Sequence, residues 1–143
     1  MINKFSGDYD FLSNFYPCRI RYEGKLYPST EHAYQAAKSL DPNVREMFQI
    51  TSHSKTISAR DAKTLGGRVK LRSDWENVKV RVMKDCLRAK FAKHDLKQKL
   101  LDTGNQELIE GNTWNDKFWG VCNGVGQNML GKLLMELRDE FSG

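Results

Sequence analysis

The strongest constraint on the fold is the apolar repeat at the end of the chain. Its large apolar residues follow the spacing i, i+3, i+4, i+7 and i+11: Leu130, Leu133, Leu134, Leu137 and Phe141. This spacing places them on one face of an α-helix from about Asn128 to Phe141. A second stretch, after Asp74, has the same period, with Trp75, Val78, Val82 and Cys86 along one face. Two such helices indicate a mainly helical fold.

Local signals add a small sheet and shorter helices. Alternating residues on both sides of Glu23-Gly24 predict a β-hairpin, because the glycine accepts a positive φ. Capping residues predict further helices, which run from Ser29 or Thr30 to Leu40, from Asp41-Pro42 onward, from Ser58 to Leu65, and from Asp95 to Thr103. The sequence therefore predicts a mostly helical α+β fold with a small hairpin sheet.

Length and composition narrow the class of protein. The chain has 143 residues, and no repeat or Pro/Gly-rich linker divides it, so we expect residues 1–143 to form one domain. A hydrophobic content of 39% argues against intrinsic disorder. No apolar run approaches the roughly 18 residues of a membrane span. The first residues also lack the apolar segment of a signal peptide.

The cysteine pattern favours a reducing compartment. Three cysteines, Cys18, Cys86 and Cys122, are widely spaced and contain no C-x-x-C pair. Disulfide-stapled secreted domains have even numbers of cysteines at closer spacing, so we expect a cytoplasmic protein. No two of the cysteines and histidines have the spacing of metal ligands, so we expect no metal site.

The positive charge is concentrated in one stretch. The formal net charge is +5, and residues 79–99 contain eight Lys and Arg residues against only Asp85 and Asp95. Such a stretch is typical of a solvated helix face, and it is also typical of a surface that binds phosphates or nucleic acid.

The first segment with unusual polar residues is FLSNFYP at 11–17 together with YPSTEHAYQAAK at 27–38. On a helix, Glu31, Tyr34, Gln35 and Lys38 share one face. Glu31 falls in the first turn, where the helix dipole favours a carboxylate. The face is consistent with a solvent-exposed surface or with a functional site.

Two further segments stand out near the C-terminus. Trp114, Phe118 and Trp119 crowd the loop GNTWNDKFWGVC around Asp116, either covering the core or forming a wall for a flat ring. The glycines of NGVGQN at 123–128 precede the last helix, where backbone N–H groups can bind an anion. We expect Asn128 to cap this helix, and a bound phosphate would explain a lysine in its first turns, Lys132. The segment is neither a Walker loop nor a Rossmann fingerprint.

The order of these motifs resembles the NADAR (YbiA-like) family. FLSNFYP, YPSTEHAYQAAK, LRSDWENVK, GNTWNDKFWG and the terminal NMLGKLLMELR occur in the family's order, from about Phe5 to Arg138. The resemblance implies a YbiA-like α+β domain that hydrolyses N-glycosidic bonds without a metal or redox cofactor. One branch of the family cleaves phosphorylated ribosylamino-pyrimidine intermediates of riboflavin biosynthesis. Another removes ADP-ribose from guanine bases.

The resemblance also implies roles for individual residues. Glu31, in the Ser/Thr-Glu-His motif, is expected to be catalytic. Asp116 is expected either to hold ribose hydroxyls, to orient the attacking water, or to act as the acid of a carboxylate pair. Substrate contacts are expected from Asn14, Phe15, Tyr34, Lys38, Trp75, Trp119, Gly120, Gly126, Asn128 and Lys132.

Two departures from the family pattern leave the substrate open. Many relatives have glycine where this chain has Asn115, and an acidic residue where it has Gln127. The leading substrate is ADP-ribosylated guanine, in DNA or in nucleotides. The alternatives are riboflavin-pathway intermediates, a binding module that recognises ADP-ribose or NAD without cleaving it, and a purely structural domain.

Overall fold

The computed structural model describes residues 1–143 and confirms a mostly helical α+β fold. A 3₁₀ helix, Gly7–Leu12, comes first. The helices are α1 (Thr30–Ala36), α2 (Pro42–Glu46), α3 (Ala59–Gly66), α4 (Trp75–Phe91), α5 (His94–Asp102) and α6 (Met129–Ser142). The strands are β1 (Ile20–Tyr22), β2 (Lys25–Tyr27), β3 (Gly111–Asn112) and β4 (Val121–Cys122).

The predicted hairpin is confirmed in its register. Strands β1 and β2 are antiparallel, with Ile20 opposite Tyr27 and Tyr22 opposite Lys25. Both turn residues have positive φ, 48° at Glu23 and 84° at Gly24. This pair of left-handed residues gives a two-residue turn whose twist matches that of the strands.

The predicted helix starts are confirmed where a side chain caps the backbone. Ser29 accepts from the N–H of His32, Asp41 from the N–H of Asn43, and Ser58 from the N–H of Asp61. Each cap satisfies a backbone donor that the first helical turn leaves without a carbonyl partner.

The predicted end of the first helix is wrong. Helix α1 ends at Ala36 rather than Leu40, and Leu40 is 64% exposed. The chain turns because the N–H groups of Lys38 and Ser39 donate to the carbonyls three residues earlier. A tighter i to i+3 turn of this kind commonly closes a helix.

Close contacts divide the chain into two compact units. One unit comprises residues 14–90. In it, α1 packs on α3 and on the β1–β2 hairpin. Ala33, Ala36 and Ala37 of the α1 region have no exposed surface, which lets neighbouring elements approach closely.

The other unit comprises residues 1–13 and 91–143. Helix α5 packs on α6, whose Leu130, Leu133, Leu134 and Leu137 are buried as predicted. Arg138 is also buried, and its Nη1 donates to Thr103 Oγ1 at 2.9 Å. Gly131 lets α6 approach the 108–110 segment, since a Cβ there would overlap the carbonyl of Leu108.

The parallel pair β3–β4 was not predicted. Gly111 lies opposite Val121 and Asn112 opposite Cys122, so each strand has only two residues. Strands this short carry no alternating pattern that a sequence can show. No helix of the structure has both the length and the apolar character that crossing a membrane would require.

Candidate active site

The catalytic candidate Glu31 lies in the first turn of α1, which is fixed by several hydrogen bonds. The N–H of Glu31 donates to the carbonyl of Asn14 at 3.1 Å, which holds the Asn14 backbone at the helix start. Ser29 Oγ lies 2.7 Å from His32 Nδ1 and also accepts from the His32 N–H. The position of Glu31 is therefore set by the backbone on both sides of it.

His32 ties this helix start to the loop before α3. Its Nε2 lies 2.7 Å from the carbonyl oxygen of Ile57. A carbonyl only accepts, so Nε2 carries the proton and Nδ1 accepts from the hydroxyl of Ser29. Burial lowers the pKa of His32, which favours this neutral form.

Glu31 and Gln35 form a buried hydrogen-bonded pair one helical turn apart. Gln35 Nε2 donates to Glu31 Oε2 at 2.5 Å. Glu31 is 7% exposed and Gln35 is 5% exposed. The interpretation of this helix face as solvent-exposed is therefore wrong, since folding removes a carboxylate from water and gives it an amide partner.

Two aromatic rings and an ammonium group extend the same face of α1. The rings of Tyr34 and Trp75 are 5.2 Å apart between centroids and tilted by 55°, and both residues are buried. Lys38 Nζ lies 5.9 Å from the centre of the Tyr34 ring and 3.5 Å from the carbonyl oxygen of Gly66. Burial lowers the pKa of Lys38, while the nearby Glu31 opposes this shift. The ammonium and the carboxylate therefore lie within electrostatic range of each other.

Unpartnered polar atoms surround this helix start. Asn14 Nδ2 donates to Met83 Sδ at 3.5 Å, whereas Asn14 Oδ1 and Thr30 Oγ1 are buried without a hydrogen-bond partner. Buried polar atoms of this kind are costly unless a ligand or a water satisfies them. Phe15, the predicted substrate contact next to Asn14, differs from these buried groups because it is 40% exposed.

In the other unit, Asp116 organises the loop that carries Trp119. Asp116 Oδ1 accepts from the N–H groups of Phe118 at 3.2 Å and Trp119 at 2.9 Å. The Phe118 and Trp119 rings meet edge to face, with centroids 4.9 Å apart. Asp116 therefore has a structural task that its motif alone did not indicate.

Glu110 and Asn112 were not predicted and belong to the same loop network. Asn112 Nδ2 donates to Glu110 Oε2 at 3.0 Å and to the carbonyl of Asp116 at 2.9 Å. Gly120 fits this network because a Cβ would overlap the Glu110 carboxylate and the Asn112 amide. The one signal in the sequence that could have indicated this network was the position of Asn112 inside the GNTWNDKFWG motif.

Several backbone N–H groups of the expected anion site before α6 already have carbonyl partners. The N–H groups before and in the first turn of α6 donate to carbonyls of the 117–120 loop: Gln127 to Lys117, Asn128 to Gly120, Met129 to Phe118, and Leu130 to Trp119. These donors are the ones that an anion at a helix N-terminus would use. Gly126, with φ of +152°, serves close packing instead, since a Cβ there would overlap the Gly120 carbonyl.

The predicted side-chain cap by Asn128 is wrong. Asn128 is left-handed, with φ of 53°, and its side chain makes no capping bond. Its Oδ1 accepts from the N–H of Glu110 and its Nδ2 donates to the carbonyl of Leu108, both at 2.9 Å. Lys132, on the next turn, is exposed. Asn128 thus joins α6 to the strand region, and a phosphate role rests on the Lys132 ammonium alone.

The structure groups the predicted residues into two sets. Asn14, Phe15, Glu31, Tyr34, Lys38 and Trp75 belong to residues 14–90, whereas Asp116, Trp119, Gly120, Gly126, Asn128 and Lys132 belong to the other unit. No cluster of three or more His, Cys, Asp or Glu side chains is placed to hold a metal ion. The three cysteines are buried, and none of them forms a disulfide.

Comparison with known proteins places this site in a family. The sequence profile of the NADAR domain matches residues 3–142. The chain belongs to the NADAR family. N-glycosidase YbiA of Escherichia coli K12 is 44% identical over 139 residues, which cover 96% of this chain and 84% of that protein. The NMR structure of E. coli YbiA has a TM-score of 0.81 at 39% identity, covering 99% of this chain and 87% of that one.

Two further relatives extend the range of names within the family. An N-glycosidase of Nostoc punctiforme is 35% identical over 135 residues, covering 93% of this chain and 86% of that protein. A riboflavin biosynthesis protein of Vibrio vulnificus is 38% identical over 141 residues, covering 94% of this chain and 36% of that protein. These relatives confirm the predicted class, a hydrolase of N-glycosyl compounds, and the YbiA-like fold.

Proposed function

We propose that this NADAR protein hydrolyses the N-glycosidic bond between a phosphorylated ribose and a base, with ADP-ribosylated guanine in DNA or nucleotides as the leading substrate. The observation that carries the proposal is the buried Glu31 carboxylate, fixed by Gln35 at the start of α1. Cleavage of an N-glycoside passes through an oxocarbenium-like state with positive charge on the sugar. A fixed carboxylate stabilises that charge and accepts a proton from the attacking water.

The rings near Glu31 support recognition of a flat base. Tyr34 and Trp75 form a tilted pair on the helix face that carries the carboxylate. We assign Trp75 to a wall against the base, since large aromatic surfaces favour stacking. Asn14 Oδ1 and Thr30 Oγ1, both buried and unpartnered, are suited to accept hydrogen bonds from substrate N–H or O–H groups.

Asp116 is proposed to accept hydrogen bonds from the substrate. Its side chain is held in place for this task because Oδ1 accepts two backbone N–H bonds. We expect Asp116→Asn to keep the thermal midpoint, since the amide oxygen reproduces those bonds, and to lower kcat/KM about tenfold, as expected for one lost charge-assisted bond. Asp116→Ala is expected to lower both quantities. Thermal scans and steady-state kinetics on both variants measure the difference. Unchanged kinetics in Asp116→Asn would assign Asp116 to loop structure only.

Lys132 is proposed to contact the substrate phosphate through its side chain, since the neighbouring backbone donors are occupied. Lys132→Ala is expected to raise KM about tenfold for a phosphorylated substrate, consistent with roughly 1.5 kcal/mol for a charged hydrogen bond. The same variant should bind a phosphate-free N-riboside as the wild type does. An equal loss on both substrates would contradict this role.

A second candidate substrate is a phosphorylated ribosylamino-pyrimidine. The observation that favours it is the name of the Vibrio vulnificus relative, a riboflavin biosynthesis protein. The same carboxylate chemistry serves both substrates, so the difference lies in what the surface around the site accepts.

The basic stretch at residues 79–99 is relevant to whether the substrate is DNA. Arg81, Arg88, Lys93 and Lys99 are exposed, but Lys90 is fully buried and Lys79 pairs with Glu76 at 2.8 Å. The surface charge is therefore smaller than the count of basic residues predicted. Binding to DNA through such a surface would weaken steeply as salt concentration rises.

The test is a comparison of kcat/KM for ADP-ribosylated DNA, ADP-ribosylated guanosine nucleotide and a phosphorylated ribosylamino-pyrimidine. Mass spectrometry of both products is the readout: free ADP-ribose with the restored DNA or guanosine nucleotide for the first two substrates, and ribose phosphate with the free pyrimidine for the third. We expect release of ADP-ribose from the ADP-ribosylated substrates to be the fastest. Preference for the pyrimidine substrate would select the second candidate, and tight binding of ADP-ribose without any cleavage of the three substrates would contradict hydrolysis. The cytoplasm stays the predicted location, on the cysteine pattern.

A further inference from the structure

The orientation of the Glu31 carboxylate depends on one side chain of the same helix face to which the family resemblance gave no role. We infer that Gln35 is a positioning residue for Glu31, and that Gly66 is glycine because Gln35 needs the space. This inference rests on the proposed catalytic role of Glu31.

The hydrogen bond between the two side chains is short and buried. Gln35 lies four residues after Glu31 on α1, and its Nε2 donates to Oε2 at 2.5 Å. Residues four apart on a helix face each other, so the bond adds no strain to the backbone. It fixes the position of one carboxylate oxygen, Oε2.

The oxygen of the Gln35 amide indicates that this side chain does not serve to stabilise the fold. Gln35 Oε1 is buried and has no hydrogen-bond partner. A buried acceptor without a partner destabilises the fold, and an apolar residue of the same size would avoid that penalty. The benefit of a glutamine at this position is therefore its N–H bond to Glu31.

Gly66 allows the Gln35 side chain to reach the carboxylate. Gly66 is the last residue of α3, which packs on α1, and a Cβ there would overlap the Oε1 and Cδ atoms of Gln35. Its neighbour Gly67 is different, since a Cβ there would meet only two carbonyl oxygens at ordinary contact distances, that of Thr64 at 3.4 Å and that of Lys63 at 3.9 Å. Gly66→Ala and Gly67→Ala therefore form a matched pair of variants, of which only Gly66→Ala disturbs Gln35.

Other charged and titratable groups also lie near α1, and the variants described below do not change them. Lys38 and Cys86 lie within electrostatic range of Glu31, and Lys63 of Lys38. The groups on elements packed against α1 are Lys63, Arg60 and Asp61 on α3, Arg45 and Glu46 on α2, Arg21 and Tyr22 on β1, and Lys25 and Tyr27 on β2. Because the variants below leave all of them unchanged, a shift in the pH profile reports on the Glu31–Gln35 bond.

The first experiment replaces Gln35 by Met, which keeps the size and removes the donor. We expect kcat on ADP-ribosylated guanosine nucleotide to fall about 10- to 100-fold, as for a catalytic group displaced by about 1 Å. KM should stay within about twofold, and the acid limb of the pH–rate profile should move to higher pH, since a donor favours the ionised carboxylate. Loss of activity in proportion to lost stability, with an unmoved acid limb, would overturn the inference.

The second experiment replaces Gln35 by Glu, which keeps the shape. Two carboxylates at this distance share one proton. Activity should therefore be retained only in the pH range where the pair holds one proton, which lets the side chain at position 35 donate to an ionised Glu31, and should be lost when that proton leaves as pH rises. An alkaline profile like that of the wild type would overturn the inference.

The glycine pair supplies a control for packing. Gly66→Ala is expected to reproduce the kcat loss and the shifted acid limb of Gln35→Met, whereas Gly67→Ala keeps wild-type values. Equal effects of both variants would overturn the role of Gly66. If Gly66→Ala fails to fold, Gln35→Met and Gln35→Glu still decide the role of Gln35.

A measurement without turnover separates this inference from the proposed function. In protein labelled with ¹³C at glutamate carboxyls, the Glu31 signal is assigned by its absence in Glu31→Gln. Its titration midpoint should move to higher pH in Gln35→Met, and an unmoved midpoint would overturn the inference. Full activity of Glu31→Gln would instead overturn the proposed function.

Discussion

Replacement of Glu31 by Gln is expected to lower kcat by about 10²- to 10⁴-fold, the range for loss of a positioned general base. The amide has the shape of the carboxylate and can still accept from Gln35 Nε2, so the fold of α1 is retained. Under the proposed mechanism, the variant loses the negative charge beside the anomeric carbon and the capacity to take a proton from water. Single-turnover release of ADP-ribose from ADP-ribosylated guanosine nucleotide measures the effect.

The control for Glu31→Gln is Glu76→Gln. Glu76 also lies in the first turn of a helix, but its side chain is 76% exposed and pairs only with Lys79 in the same helix. We expect wild-type kinetics for this variant, because an exposed ion pair contributes little. If Glu31→Gln keeps its thermal midpoint and near-full activity, Glu31 is not the catalytic base.

Replacement of Trp75 by Ala is expected to lower the free energy of unfolding by about 3–5 kcal/mol, the usual cost of truncating a buried aromatic residue. Trp75 is 5% exposed at the start of α4, and its ring pairs with that of Tyr34. The variant leaves a cavity beside the helix that carries Glu31. Urea unfolding followed by circular dichroism measures the loss.

Two companion variants separate packing from recognition of the base. Trp114→Ala, at a tryptophan that is 57% exposed, is expected to change stability by less than about 0.5 kcal/mol. Trp75→Phe keeps a ring, so we expect it to recover most of the stability while raising KM. A wild-type KM in Trp75→Phe would argue that Trp75 serves packing alone.

Much of the secondary structure was predictable because its signals are local. The caps at Ser29, Asp41 and Ser58 act within three residues of themselves, and each is present as predicted. The hairpin turn at Glu23-Gly24 is equally local, since it depends on two residues that accept positive φ. The two-residue strands β3 and β4 were not predictable, because they pair residues ten positions apart.

The candidate site also has features that the sequence predicted and features that it did not. The motif identified Glu31, Tyr34, Lys38 and Trp75, but their chemical setting depends on burial, which a helical period does not report. The turn at 123–128 shows the opposite case. Its glycines are typical of an anion site, yet the N–H groups of Gln127 and Asn128 donate to carbonyls of the 117–120 loop, and only the folded chain reveals that.

The sequence by itself determined the family, the class of reaction and the helices, because apolar period, caps and motif order are all encoded along the chain. The tertiary structure alone decided that the Glu31 face of α1 is buried, that Gln35 holds the carboxylate and that Gly66 makes room for Gln35. It also decided that Asn128 joins α6 to the 108–110 segment rather than capping the helix. The physical reason is that burial and hydrogen-bond partners depend on residues far apart in the chain, which are brought together only by packing.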